Sequence, residues 1–96
     1  MDLVSAINDR QLIEFFYDGH PRIVQPATYG RTATGKWSLR ACQVSGRSRR
    51  NTLPCWELYT ESKMQGARAT GETFEQFALT GYTRGDSAFP QIIAQH

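Results

Sequence analysis

Arginine and aromatic side chains in the first half of the chain are the residues whose chemistry indicates a ligand. Between Gly19 and Trp56 the sequence carries seven arginine or lysine residues and no carboxylate, although the net charge of the chain is only +2. Guanidinium groups bind phosphate bidentately, and aromatic faces stack on nucleobases. This pattern predicts a surface for an anionic ligand. The arginine and aromatic residues that we consider for it are Tyr17, Arg22, Trp37, Arg40, Arg49 and Arg50.

Each candidate also has a purely structural interpretation. Trp37 carries a large apolar area, which favours a core position over an exposed stacking platform. Arg22 has Glu14 and Asp18 as possible partners across a hairpin, and such a pair contributes little when it is exposed. The basic cluster at 47–50 also fits a solvated turn.

Catalytic and metal-binding groups are sparse in this sequence. The two histidines are His20, in a predicted turn, and His96. Cys42 and Cys55 lack the Cys-x-x-Cys spacing of zinc sites and redox pairs, and no phosphate-binding glycine loop is present. We therefore expect no enzymatic activity, no cofactor and no metal, and two buried, reduced thiols.

Length and composition indicate one small globular domain of 96 residues, with 40% hydrophobic and 11% aromatic residues. No apolar run approaches the ~20 residues of a membrane span, and no basic segment precedes an apolar one at the N-terminus. We expect a cytoplasmic protein that does not associate with membranes.

The elements that would position these residues are mostly short strands. Helical spacing of Leu3, Val4, Ala6 and Ile7 after Asp2 predicts a short N-terminal helix. Asp18-Gly19 is a strong hairpin-turn signal. Strands are predicted at 11–17, 22–26, 37–44, 49–53 and 55–59, with a long connection at 27–35.

The last third of the chain has a different pattern. A loop is predicted at 61–71, and apolar spacing predicts short helices at 72–79 and from Asp86 or Ser87 to Ile93. The fold class is therefore mainly β with short flanking helices, a small bent sheet or barrel of four to five strands. We divide the chain into a β core with its N-terminal helix at 1–60 and a C-terminal loop with helices at 61–96, packed on the same domain.

The order of several short motifs resembles the WYL domain family. The matching segments cover roughly residues 4–53 and are Val4-Ser5-Ala6-Ile7, Leu12-Ile13-Glu14-Phe15-Phe16-Tyr17-Asp18-Gly19, Arg22-Ile23-Val24-Gln25-Pro26, Tyr29-Gly30 and Trp37-Ser38-Leu39. The chain departs from the family where Ser38 replaces the usual tyrosine and where Asn51 and Cys55 replace an aromatic residue and an arginine.

The resemblance implies an Sm-like or SH3-like barrel and a bacterial regulatory protein that senses a ligand such as single-stranded nucleic acid or a nucleotide. It implies a ligand-binding role for Tyr17, Arg22, Trp37 and Arg49, which fall on the family's motif positions, whereas Arg40 and Arg50 are added from charge and placement. We expect a divergent, stand-alone WYL-like module without its own DNA-binding domain, which reports its ligand to a partner.

A protein–protein interaction or oligomerisation module is the alternative. Small barrels expose strand edges that pair with other chains, and the departures at Ser38, Asn51 and Cys55 indicate an altered ligand pocket. In this alternative a C-terminal helix bearing Phe89, Ile92 and Ile93 docks on a partner protein or a second copy.

Overall fold

The apolar and β-branched segments of the chain form an antiparallel sheet of six strands. The computed structural model describes residues 1–48 and 52–96. Its elements are α1 (Leu3–Asn8), β1 (Gln11–Tyr17), β2 (His20–Arg31), β3 (Trp37–Gly46), β4 (Cys55–Thr60), a 3-10 turn (Glu61–Lys63), β5 (Gln65–Thr73) and β6 (Gln91–Gln95). The predicted mainly-β class is confirmed, with six strands in the described residues rather than four to five.

The strand order is β4-β3-β2-β1-β5. The first half of β2 pairs with β1, and its second half pairs with β6. Within the described ranges β4 and β5 share no ladder, so this sheet is not closed there. The predicted strand at 49–53 lies mostly outside the described residues, while its described part, Thr52 and Leu53, is not in a strand.

The β1–β2 hairpin follows from its two turn residues. Asp18 has φ 52° and Gly19 has φ 76°, the left-handed conformations that a type I′ turn requires. Tyr17 pairs with His20 immediately across that turn. The turn thereby sets the register that places Phe15 opposite Arg22.

Strand β2 is longer than the sequence predicts, because its second half pairs with β6 as well as with β3. Thr28 to Arg31 lie opposite residues of β6, so the predicted long connection shortens to 32–36. Gly30 makes this possible, since a Cβ there would lie 2.0 Å from the Gln91 carbonyl oxygen. A glycine that resembles a loop signal instead permits close approach of two strands.

The core lies between α1 and one face of the sheet. Asp2 caps the helix, accepting from the Val4 amide at 3.0 Å, as predicted. The helix buries one apolar side, which packs on inward-facing strand residues. The buried side chains of this cluster are Leu3, Ala6, Ile7, Ile13, Phe15, Val24, Leu39, Ala41, Tyr59 and Ala94.

The predicted C-terminal helices are wrong, and so is most of the predicted loop at 61–71. Residues 65–73 form β5 and residues 91–95 form β6, while residues 74–90, here called the strap, contain neither helix nor strand. The three-residue spacing of Phe74 and Phe77 imitates a helix. In the structure their rings instead pack against each other and against His96.

Side-chain hydrogen bonds hold the strap on the outer face of the sheet. The Gln25 side chain donates from Nε2 to the Gln76 carbonyl at 3.1 Å. Its Oε1 accepts from the backbone N–H of Ala78 at 2.8 Å. Trp56 Nε1 donates to the Thr80 carbonyl at 2.8 Å. Contacts distant in sequence thus replace local helical bonds.

Both cysteines are buried, as predicted, and they do not form a disulfide with each other. Cys42 lies beneath the strap, and burial, followed by the proximity of Cys55, raises the pKa of its thiol.

Candidate ligand-binding site

The four candidate residues that the structure describes do not form one site. Tyr17 and Arg22 lie together at the core, 5.7 Å apart from ring centroid to guanidinium carbon. Trp37 lies at the end of the β2–β3 hairpin, and Arg40 contacts the strap. The remaining two lie outside the described residues: Arg49 and Arg50.

Arg22 is an interior residue with only 2% of its area exposed. Its Nη1 donates to Gln43 Oε1 at 3.2 Å and to Glu57 Oε2 at 3.1 Å. Its Nη2 donates to the Tyr17 carbonyl at 3.3 Å. The guanidinium therefore has partners within the protein and presents little surface to an external phosphate.

The predicted pairing of Arg22 with Glu14 or Asp18 is wrong. Phe15, next to Glu14, is the residue opposite Arg22, so Glu14 projects to the other face of the sheet. There Glu14 accepts from Arg68 of β5.

Two tyrosines complete the surroundings of Arg22. Tyr59 is fully buried and donates from its hydroxyl to Gln43 Oε1 at 3.2 Å, while burial and then Glu57 raise its pKa. The Tyr17 hydroxyl accepts from the Thr60 amide at 3.0 Å. We call Tyr17, Arg22, Gln43, Glu57 and Tyr59 the arginine cluster; its contacts are those of a structural polar network.

Arg40 links the sheet to the strap. Its Nε donates to Asp86 Oδ2 at 2.8 Å. Burial would raise the pKa of Asp86, but the hydrogen bonds from Arg40 and from the Ala88 N–H outweigh it and hold that pKa below its usual value. A pocket of about 280 Å³ opens beside the pair. The positive charge of Arg40 is thus matched within the protein.

Trp37 is the most exposed of the candidates that the structure describes. It is the first residue of β3, it pairs with Arg31, and 40% of its area is exposed. The Tyr29 ring stacks on the indole with centroids 5.6 Å apart and planes at 21°. The Arg31 guanidinium carbon lies 5.5 Å from the same ring. The predicted core position for Trp37 is wrong, because β3 begins here at the margin of the sheet.

A pocket of about 480 Å³ lies beside this indole. It contains two exposed lysines, Lys36 and Lys63, and neither forms an ion pair with another described residue. We call it the Trp37 pocket; its residues are Gly35, Lys36, Trp37, Thr60, Glu61, Ser62 and Lys63. Its volume is within the range of small-molecule sites.

Glu61 connects the pocket to the stacked rings. Its Oε1 accepts from the Tyr29 hydroxyl at 2.5 Å. Burial, followed by this hydrogen bond, raises the pKa of Tyr29 to about 12. Tyr29 therefore stays a neutral donor at physiological pH and remains fixed against Trp37.

Sequence reasoning missed several residues of the Trp37 pocket. Arg31 and Lys36 belonged to the predicted basic segment, but only the hairpin register places them beside Trp37. Lys63 and Glu61 come from the turn after β4, which lies in the predicted loop at 61–71, but no local signal places that turn beside Trp37. Two cations of the basic segment have carboxylate partners outside it. Glu57 pairs with Arg22, and Asp86 pairs with Arg40.

Comparisons with protein-family models, with curated proteins and with solved structures find no match for this chain. Within residues 1–48 and 52–96, no group of three or more histidine, cysteine, aspartate or glutamate side chains is arranged to hold a metal ion. In the same ranges, no helix has the length and apolar character needed to cross a membrane.

Proposed function

We propose that this protein is a non-enzymatic, WYL-like ligand-binding module whose Trp37 pocket takes a base-bearing anion, either single-stranded nucleic acid or a nucleotide. The observation that carries the proposal is the exposed Trp37 indole, which stacks on Tyr29 and lies beside two lysines that form no ion pair with a described residue. A base stacked on an aromatic side chain contributes ~1–3 kcal/mol to binding.

The surrounding charges supply the second half of the recognition. Lys36 and Lys63 attract the phosphates of a ligand whose base lies on the indole. Arg31 adds a third cation, whose guanidinium lies over the ring with its carbon 5.5 Å from the ring centroid. A pocket that combines a stacking surface with cationic side chains suits a nucleotide unit better than a purely apolar or purely ionic ligand.

The resemblance to the WYL family supports the same proposal from the sequence. It supplies the expected role, which is to sense a ligand and report it to a partner protein. In this proposal Trp37 contacts the ligand, whereas Tyr17 and Arg22 shape the sheet from within the arginine cluster.

Fluorescence anisotropy with labelled single-stranded DNA and RNA of about 12 nucleotides tests the proposal. At about 50 mM salt, Trp37→Ala should weaken binding by about 5- to 150-fold, which corresponds to one lost base stack. Arg47→Ala is the matched control, because this exposed arginine lies at the opposite end of β3. Unchanged affinity of Trp37→Ala would refute the site. Competition by free mononucleotides then shows whether the pocket takes a single nucleotide or requires a nucleic-acid strand.

A self-association module is the second candidate, favoured by an exposed apolar surface on another part of the sheet. Phe16 is 52% exposed and lies opposite Pro21, in a groove of about 500 Å³ that also includes Ile23. The helix that the sequence predicts to carry Phe89, Ile92 and Ile93 does not form, since Gln91–Gln95 is β6 and Phe89 is buried in its own chain. Light scattering over a concentration series tests this candidate: a dimer lost on Phe16→Ser supports it, and a constant monomer mass counts against it.

A further inference from the structure

Glu61 places a negative charge in a pocket whose other charges are positive. One of its oxygens, Oε1, accepts from the Tyr29 hydroxyl. Among the described residues no donor contacts the other oxygen, Oε2. Because an ionised carboxylate offers about four lone-pair sites, Glu61 retains capacity to accept hydrogen bonds from a ligand.

We propose that Glu61 makes the Trp37 pocket selective for guanine, an inference that rests on the proposed function. Guanine presents two adjacent donors, N1–H and the N2 amino group, which match the two oxygens of a carboxylate. Adenine and cytosine present one amino donor beside an acceptor. Thymine and uracil present one N–H between two carbonyl oxygens, which a carboxylate repels. The pairing of Glu61 with guanine is therefore the only bidentate one, and charge-assisted bidentate bonds are the strong ones.

A structural role for Glu61 is the competing explanation. In that case the carboxylate only positions Tyr29 behind Trp37, and it has no effect on which base binds. Glu61→Gln separates the two roles, because the amide oxygen can still accept from the Tyr29 hydroxyl. The amide cannot replace the second acceptor that guanine requires.

The test compares four labelled single-stranded DNAs of about 12 nucleotides. One contains only thymine, and the others alternate thymine with guanine, adenine or cytosine. At about 50 mM salt the guanine-containing strand should bind at least about tenfold more tightly than the thymine strand. In Glu61→Gln this preference should fall below about twofold, while the thymine strand binds more tightly because a repelling charge is removed.

Glu75→Gln is the matched control, since it removes an exposed carboxylate from the strap and should retain the guanine preference. Equal binding of all four strands to the native protein would overturn the selectivity and leave the proposed function intact. A preference that persists in Glu61→Gln would assign it to another residue and also overturn the inference. Failure of every strand to bind would overturn the inference and the proposed function together.

Discussion

The Arg22 guanidinium and the Glu57 carboxylate meet at 3.1 Å inside the open sheet, where Arg22 is 2% exposed and Glu57 is 32% exposed. The contact joins β2 to β4, two strands that are not neighbours in the sheet. The pair explains why Arg22, a candidate ligand-binding residue in the sequence, lies in the interior instead. The pair stabilises the fold within the arginine cluster.

Arg22→Met should lower the free energy of unfolding by roughly 3 kcal/mol, because it leaves the partly desolvated Glu57 carboxylate without its Arg22 donor and removes one of the two donors to the buried Gln43. The lower end of the buried-pair range applies, since solvent reaches part of Glu57. Denaturant unfolding measures the change. Arg47→Ala, an exposed arginine, should stay within about 0.5 kcal/mol of the native protein.

The double variant Arg22→Met with Glu57→Leu should recover much of that loss, because an apolar pair can replace a buried ion pair with little cost. A double variant as unstable as Arg22→Met alone would show that the loss comes from packing rather than from the orphaned carboxylate.

Lys36 and Lys63 should determine the salt dependence of nucleic-acid binding. Each lysine that neutralises a phosphate contributes about 0.7 to the slope of log affinity against log salt for a single strand. Lys36→Ala and Lys63→Ala should therefore each reduce the slope by about that amount, measured by anisotropy between about 50 and 200 mM salt. Arg47→Ala should leave the slope unchanged. If Arg47→Ala were the only one of these variants to reduce the slope, the phosphates would bind at the end of β3 where Arg47 lies and not beside Trp37.

Gln25 should control access to Cys42. Gln25→Ala removes two hydrogen bonds that hold the strap over that thiol, together worth about 1–3 kcal/mol. When opening is fast relative to modification, the native-state reaction of Cys42 with a thiol reagent should accelerate by about 5- to 150-fold. A Cys55→Ala background isolates the signal.

Gln65→Ala, at an exposed position of β5, serves as the control for the strap and should react at the native rate. Equal rates for Gln25→Ala and the native protein would show that opening of the strap does not depend on these two bonds.

Acid should destabilise the fold through His96. Burial, assisted by the charge of Arg10, lowers the pKa of His96 below its ordinary value of 6.5. The unfolded chain consequently binds more protons than the folded one between that lowered pKa and 6.5. The free energy of unfolding should be greatest above that window and decline as pH falls through it.

Denaturant unfolding at a series of pH values measures this decline. His96→Phe should flatten the curve in the window, and His20→Gln, which removes the other histidine, should retain the decline. An unchanged pH dependence in His96→Phe would assign the acid sensitivity to another group.

Local signals were sufficient to predict the first part of the fold. Strand β1 and the Asp18-Gly19 turn were predicted because residue alternation and turn chemistry determine them within a few residues. The cap of α1 at Asp2 is equally local. Beyond these elements, local signals place Gly30 in a loop. They cannot indicate the strand that approaches it, because β6 lies about 60 residues further along the chain.

The C-terminal elements and the pocket depend on contacts between distant segments. Phe74 and Phe77 imitate helical spacing, whereas in the structure they pack with His96 across the strap. Trp37 was a candidate from the sequence. Its companions Lys63 and Glu61 were missed, because they reach it only through the pairing of β4 with β3.

The two tryptophans allow one direct test of the ligand site by NMR. In ¹⁵N-labelled protein the indole N–H groups of Trp37 and Trp56 give two signals, assigned with Trp37→Phe. Trp37 lies in the proposed pocket, whereas Trp56 donates to Thr80 of the strap. Titration with a single-stranded oligonucleotide at low salt should shift the Trp37 signal saturably and leave Trp56 in place. A shift confined to Trp56, or no shift of either signal, would contradict ligand binding at Trp37.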